Sequence, residues 1–408
     1  MFFLTQLKEG LAISFQAIRS NIMRSVLTML GIIIGIFAVT LMATAMEGVN
    51  RAFDRSAAAF GTDVLYIQKF PWVSNDDWES IRNRRNMEVR YANLIDRKAK
   101  MISAVAPVMT TRRTVWWRGN IVEGALVSGT TADYLNAAGV MLGDGRFFTA
   151  EESNAGRPVC TIGATIAETL FPMVDPIGQT IRVAGSPFTV VGIFEKQGGL
   201  FGEFTSDLRV YIPLLSFQGQ FGGRRDVTIQ VSVADQNQME DAKLELEGIV
   251  RTLRRLEPGE PNDFNINQQE VLTNTFGPIS ATIAGIGLFI TGLALFVGGI
   301  GIMNIMFVSV TERTREIGIR KAIGAPRRSI LLQFLIEASI LCLIAGLIGL
   351  VIAYVASLIV DQLLLPTAMP FSMVYLAVVI SLIVGVTSGF LPAFRASKMD
   401  PVEALRYE

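Results

Sequence analysis

Residues 310–329 read VTERTREIGIRKAIGAPRRS, and their charge decides how the rest of the chain is read. Six basic side chains fall there, Arg313, Arg315, Arg320, Lys321, Arg327 and Arg328, with Glu312 and Glu316 among them. Long stretches without Lys or Arg lie on either side. A compact charged segment between two oily ones reads as a short loop joining two membrane spans.

Working outward, four stretches are long and apolar enough to cross a bilayer, which takes about 20 residues. They are 26–46, 279–310, 330–360 and 371–394. Residues 279–310 carry no charge and as one helix would run roughly 48 Å, longer than a hydrocarbon core of about 30 Å. Its first turns are therefore expected to project from the membrane. Ala43-Thr44-Ala45 has the small residues of a cleavage site. The apolar run before it is too long, and too far from the N-terminus, for a signal peptide.

Composition agrees. Half of the 408 residues are hydrophobic and 18% are charged, against roughly 25% in soluble domains. Mean hydropathy is +0.43. The 36 basic and 36 acidic residues cancel, so no nucleic-acid partner is indicated. There is no histidine, which excludes His-based metal sites and catalytic triads. Cys160 lies outside the apolar runs and Cys342 inside one, a poor setting for a disulfide. No catalytic constellation stands out, so the chain is read as a non-enzyme.

Ahead of the first span, Leu4, Leu7, Leu11, Phe15, Ile18 and Ile22 recur at steps of three and four. Residues 1–25 are thus expected to form an amphipathic helix in the interface. Lys8, Arg19 and Arg24 flank the first span, and Arg395, Lys398 and Arg406 follow the fourth. The turn between spans three and four has no Lys or Arg. The positive-inside rule then puts both termini and the 311–329 loop in the cytoplasm. The domain 47–278 falls outside despite its 24 basic residues, because long domains translocate largely regardless of charge.

That domain reads as α+β. Strand-like runs include DVLYIQ, TVWWRGNIVEGALVSG, RPVCTIG, QTIRVAGSPFTVVGIF, LRVYIPL and VTIQVSV, with AGSP as a hairpin turn. Helices fit NDDWESIRNRR, TIAETLF and the run from Gln236, where Met239, Ala242, Leu246, Ile249 and Leu253 share a face. GGLFGEF and FQGQFGG are glycine-rich with aromatics, making Phe201, Phe204, Phe217 and Phe221 candidate contacts for substrate or partner, or parts of plain connections. RRTVWWRG has the period of a strand rather than of a nucleic-acid patch.

In the 311–329 loop, Glu316 and Arg320 stand in the favourable i, i+4 order. Ile319 and Ile323 share a face, and Gly324 before Ala325-Pro326 marks a stop. The loop is therefore a short amphipathic helix. Gln333 and Glu337 lie one turn apart near the start of span three; an acid there is costly and usually paired. An ion path is one reading, a structural pair with Arg19, Arg24 or Arg313 the other. Gly31-x-x-x-Gly35 and Gly385-x-x-x-Gly389 suit close helix packing, within the chain or at a dimer interface.

GIMNIMFVSVTERTREIGIRKAIGAPRRSILLQFLIEA, with SVLTMLGIIIGI, GRFFTAEE, DPIGQTIRVAGSPFTVVGIF and LPAFRASKMDPVEALRYE, resembles MacB/FtsX-type permeases of ABC transporters. The likeness covers essentially the whole chain, in order. It implies a two-lobed extracytoplasmic domain, one lobe inserted into the other. It also implies a coupling helix in which Glu312, Arg313, Arg315, Glu316, Ile317, Ile319, Arg320 and Lys321 meet a cytoplasmic ATPase dimer. Further implied are a second permease copy, a HlyD-type adaptor and a possible outer-membrane channel, all at a bacterial inner membrane. MacB itself carries its ATPase at the N-terminus of the same chain. This sequence opens on the interfacial segment and has no G-x-x-x-x-G-K-[ST] loop. ATP and Mg are therefore expected on a separate subunit.

The resemblance implies ATP-driven efflux by mechanotransmission, in which motion rather than substrate passes through the membrane helices. Extraction of lipoproteins is an alternative. Activation of a cell-wall hydrolase without transport is another, disfavoured by the size of the domain.

Overall fold

The computed structural model describes residues 22–58, 60–73, 78–197, 206–363 and 369–405. The interfacial helix expected before the first span lies almost wholly outside these residues, as do Phe201 and Phe204. The chain forms two compact units. Arg51–Pro278 forms one; the residues up to Asn50 and those from Ile279 onward form the other.

The principal helices are α1 (Ile22–Ala58), α2 (Val89–Lys98), α3 (Leu214–Phe221), α4 (Met239–Arg254), α5 (Gln269–Glu312), α6 (Thr314–Ala322), α7 (Arg327–Leu363), α8 (Phe371–Lys398) and α9 (Pro401–Leu405). Four of them, α1, α5, α7 and α8, are long and apolar enough to cross a membrane. All four exceed their expected length, α1 and α5 the most. Helix α1 continues to Ala58, and α5 begins at Gln269 and runs 44 residues, about 66 Å at 1.5 Å per residue.

The helical unit is built inside out relative to a soluble protein. Small side chains meet at its centre: Ala338, Ala345, Ala377, Ala393 and Ala396 are buried, beside Ile32, Ile36, Ile302 and Phe334. Phe289, Phe296, Tyr375 and Phe390 point outward. Lipid solvates large apolar groups, so backbone proximity between helices becomes the source of packing energy. The four glycines noted in the sequence serve this purpose inside the chain. Gly31 and Gly35 face Gly298 and Leu295 of α5, and Gly385 and Gly389 face Ser339 and Ala338 of α7. Of the two roles expected for them, close packing within the chain is the one seen here.

The other unit is a mixed sheet with helices. Its strands are β1 (Val64–Gln68), β2 (Ile102–Trp117), β3 (Asn120–Thr130), β4 (Leu142–Gly145), β5 (Val159–Ile162), β6 (Thr180–Val183), β7 (Ser186–Phe194), β8 (Arg209–Pro213), β9 (Thr228–Val233) and β10 (Asn265–Asn267). The order is β10-β1-β9-β2-β3-β8-β5-β7-β4, with β6 pairing β2 and β7. Each of the first four in that list is antiparallel to its neighbour. With α2 between β1 and β2, and α4 between β9 and β10, they make a split βαβ motif. Strands β3 to β8 are inserted between its second and third strands. One strand serves both parts: β2 pairs β9 from Ile102 to Val108 and β3 from Met109 to Trp117.

Local chemistry fixes the turns. The β2–β3 and β6–β7 loops have two residues each, Arg118-Gly119 and Ala184-Gly185, all at positive φ. That backbone matches the twist of the strands it joins. On α4, Ala242 and Leu246 are buried as expected, while Met239, Ile249 and Leu253 pack at the core margin. Val250 and Arg254 join them. The buried Arg254 guanidinium meets Asp263 at 2.5 and 2.7 Å and the Arg85 carbonyl at 2.9 Å. Those partners satisfy a cation that would otherwise be prohibitively costly to bury.

Candidate functional site

Helix α6 follows α5 after a single residue, Arg313, whose φ of −106° and ψ of 18° break the helical run. Its C-terminal end closes as a Schellman motif: Gly324, at φ 97°, donates to Lys321 O, and Ala325 donates to Arg320 O. Pro326 then immediately precedes α7. The stop expected at Gly324 is formed by a residue able to take left-handed backbone.

The helix has two faces. Thr314, Ile317 and Gly318 are buried, and Ile317 packs in the apolar core of the unit with Ile330 and Phe334. Arg315, Ile319 and Ala322, at helical spacing, are exposed with Glu316 and Ile323. Ile319 is 46% and Ile323 81% exposed. Glu312 ends α5 and is exposed as well. Three ordered contacts tie the helix to the rest of the chain, and one more lies within it. Arg313 Nη1 lies 3.3 Å from both carboxylate oxygens of Glu337. Arg320 Nη1 donates to Gln333 Oε1 at 2.7 Å, and its Nη2 to Glu316 at 2.5 Å. Lys321 Nζ donates to Met399 O at 2.6 Å. Burial, reinforced by the charge of Arg327 and opposed by Asp400, draws the Lys321 ammonium below its ordinary pKa.

The tail helix α9 closes the other flank. A Cβ on Gly318 would meet that of Ala404 at 2.7 Å, so glycine is what lets α9 lie on α6. Val402 and Leu405 remain exposed beside it. Of the eight coupling residues named from the sequence, Arg313, Ile317, Arg320 and Lys321 thus bind the helix to its own chain. Glu312, Arg315, Glu316 and Ile319 are presented outward. Sequence reasoning missed Gly318 and Ala404, whose only sign is the small size of both residues.

The aromatic candidates resolve differently. FQGQFGG is no loop: residues through Phe221 form α3, and Phe217 is fully buried. A Cβ on Gly129 would overlap the Phe217 ring. Phe217 is therefore a core residue rather than a contact residue. Phe221 is half-buried, with the Arg113 guanidinium 5.4 Å from its ring centroid. No cluster of three metal-ligating side chains occurs among the described residues.

Comparison with known proteins completes the description. The MacB-like periplasmic core domain family matches residues 25–249, and the FtsX-like permease C-terminal family matches 288–401. The ABC transporter permease YknZ of Bacillus subtilis is 32% identical over 413 residues, spanning 98% of this chain and 100% of its own. The macrolide export ATP-binding/permease protein MacB of Neisseria meningitidis is 33% identical over 411 residues, and that of Agrobacterium fabrum 34% over 403. This chain spans 62% and 61% of their lengths. The crystal structure of the periplasmic region of MacB from Actinobacillus actinomycetemcomitans has a TM-score of 0.44 and 20% identity, covering 54% of this chain and 94% of that one.

Proposed function

The chain belongs to the MacB-like and FtsX-like permeases of ABC transporters, and from that premise we propose that it is the membrane subunit of an ATP-driven efflux or export system. The family makes it a membrane protein whose Arg51–Pro278 unit is extracytoplasmic. In our reading both termini and α6 are cytoplasmic. A separate ATPase dimer holds ATP and Mg, and two permease copies meet its two grooves. Outside, the domain engages a HlyD-type adaptor, with an outer-membrane channel where the cell has one.

One observation carries the reading. Helix α6 is bolted to its own chain on one face and presents Arg315, Ile319 and Ile323, two of them large and apolar, on the other. Exposed apolar side chains rimmed by charge mark a protein contact. The helix leaving that contact, α5, is continuous to Gln269. Movement imposed on α6 has a direct covalent path along that helix, the requirement of mechanotransmission.

The test is co-purification in detergent with the ATPase encoded beside this chain. Ile319→Asp with Ile323→Asp should weaken binding by at least about tenfold, as loss of interface hot spots does, while the permease stays folded. Undiminished binding in that variant would sink the reading.

A further inference from the structure

Glu337 is the most buried charge among the described residues of the helical unit, with a side chain only 2% exposed. Its neighbours in sequence and space, Phe334, Ala338 and Leu341, are core residues. Its partner, Arg313, is the single residue at which α5 gives way to α6. The pair therefore ties the elbow between two helices to a third. A second tie lies one turn earlier on α7, where Gln333 accepts from Arg320 at the far end of α6. Between the two ties sits buried Ile317.

A buried ion pair is a poor way merely to hold helices together, because well-packed apolar side chains of similar volume usually do so as well or better. What a buried pair adds is a defined geometry: a carboxylate in that setting accepts one partner in one place. We propose that Glu337 is a positioning residue for coupling. Acting through Arg313, it fixes the angle between α5 and α6 on α7, so that a push on α6 moves α5 and α7 as one body. The proposal rests on the ATPase-docking reading above. It assigns the joint, whereas that reading assigns the contact face.

The experiment uses the full-length permease, reconstituted with its ATPase subunit, and reads binding and permease-stimulated ATP turnover separately. Glu337→Gln, Arg313→Gln and the double variant Arg313→Met with Glu337→Met are compared with wild type. Each should bind the ATPase within about twofold of wild type, since the outer face of α6 is untouched. Stimulated turnover should fall on the order of tenfold, the size of a typical coupling between sites. The double variant is decisive. A merely structural pair is replaceable by two methionines, which would restore turnover; a positioning pair is not. Wild-type turnover in the double variant, or in Glu337→Gln, overturns the proposal. Should Glu337→Gln not accumulate, Arg313→Lys keeps the cation but loses the planar guanidinium. Its stimulation should then lie between wild type and the double variant, and equality with wild type counts against the joint. Failure of the wild-type permease to bind the ATPase at all strikes the docking reading instead, and is seen before any variant is made.

Discussion

Gly31 and Gly298 meet backbone to backbone: a Cβ placed on Gly31 would come within 2.8 Å of the Gly298 Cα. No side chain separates α1 from α5 at that point. Gly31→Leu should therefore force the helices apart and destabilise the unit by on the order of 1–3 kcal/mol or more, as overpacking does. Gly292, six residues away on α5, has nothing within 4 Å of such a Cβ. Thermal midpoints of the detergent-solubilised chain should fall for Gly31→Leu and stay near wild type for Gly292→Leu. Equal losses would refute the crossing.

The two faces of α6 predict opposite phenotypes from the same change. Ile317→Asp buries an unpaired carboxylate beside Phe334, a cost of several kcal/mol, so the protein should fail to accumulate in the membrane. Ile319→Asp is exposed and should accumulate normally, losing only ATPase-dependent function. Immunoblots of membranes beside export assays separate the cases; a foldable Ile317→Asp contradicts the assigned faces.

Phe217 lies in the core of the extracytoplasmic domain, so Phe217→Ala should cost about 3–5 kcal/mol. Phe221, half-buried on the same helix, should cost less. Were Phe217 a partner contact instead, its alanine variant would keep its melting temperature and lose only binding.

Glu152 gives a pH signature. Two bonds of 2.7 Å from Arg146, joined by one of 2.8 Å from the Thr149 amide, close a capping box on the short helix Ala150–Asn154. The Arg146 guanidinium above all, against the effect of burial, holds the Glu152 carboxyl at about 2 rather than near the ordinary 4.5. A carboxyl depressed by folding stabilises fully above its unfolded pKa and loses that effect as pH falls through its folded one. The difference in melting temperature between wild type and Glu152→Gln should thus be largest above pH 5 and shrink toward pH 2. A difference that grows on acidification would contradict the pairing.

Much of this was legible from one sequence because a membrane imposes period-free signals. Runs of apolar residues announce α1, α5, α7 and α8 without any knowledge of partners, and Gly324 announces the end of α6. The Glu337 partner was within reach too, since an acid in an apolar helix calls for a cation and Arg313 is near the same membrane face. What stayed hidden depends on contacts distant in sequence. Phe217 sits among glycines that read as a loop, and only its packing on Gly129 makes it core. The glycines of α1 and α8 suit close packing of any kind, and only the fold puts Gly298 and Ala338 opposite them. The change of partner along β2 is marked by no break in its residues between Val108 and Met109, because both are buried.

That shared strand carries a cost during biogenesis. A chain crossing the membrane from its N-terminus delivers β1 and β2 well before β9, and Val105 gains its partner Val231 only after the inserted segment has arrived. For that interval the first half of β2 is an unpaired apolar edge, the kind that recruits foreign strands. The inserted strands, whose pairing with β2 is more local, are free to fold first and hold β2 straight. Translocation thus gives the domain an order of assembly, insert before frame, and makes the emergence of β9 the step that closes the exposed edge of β2.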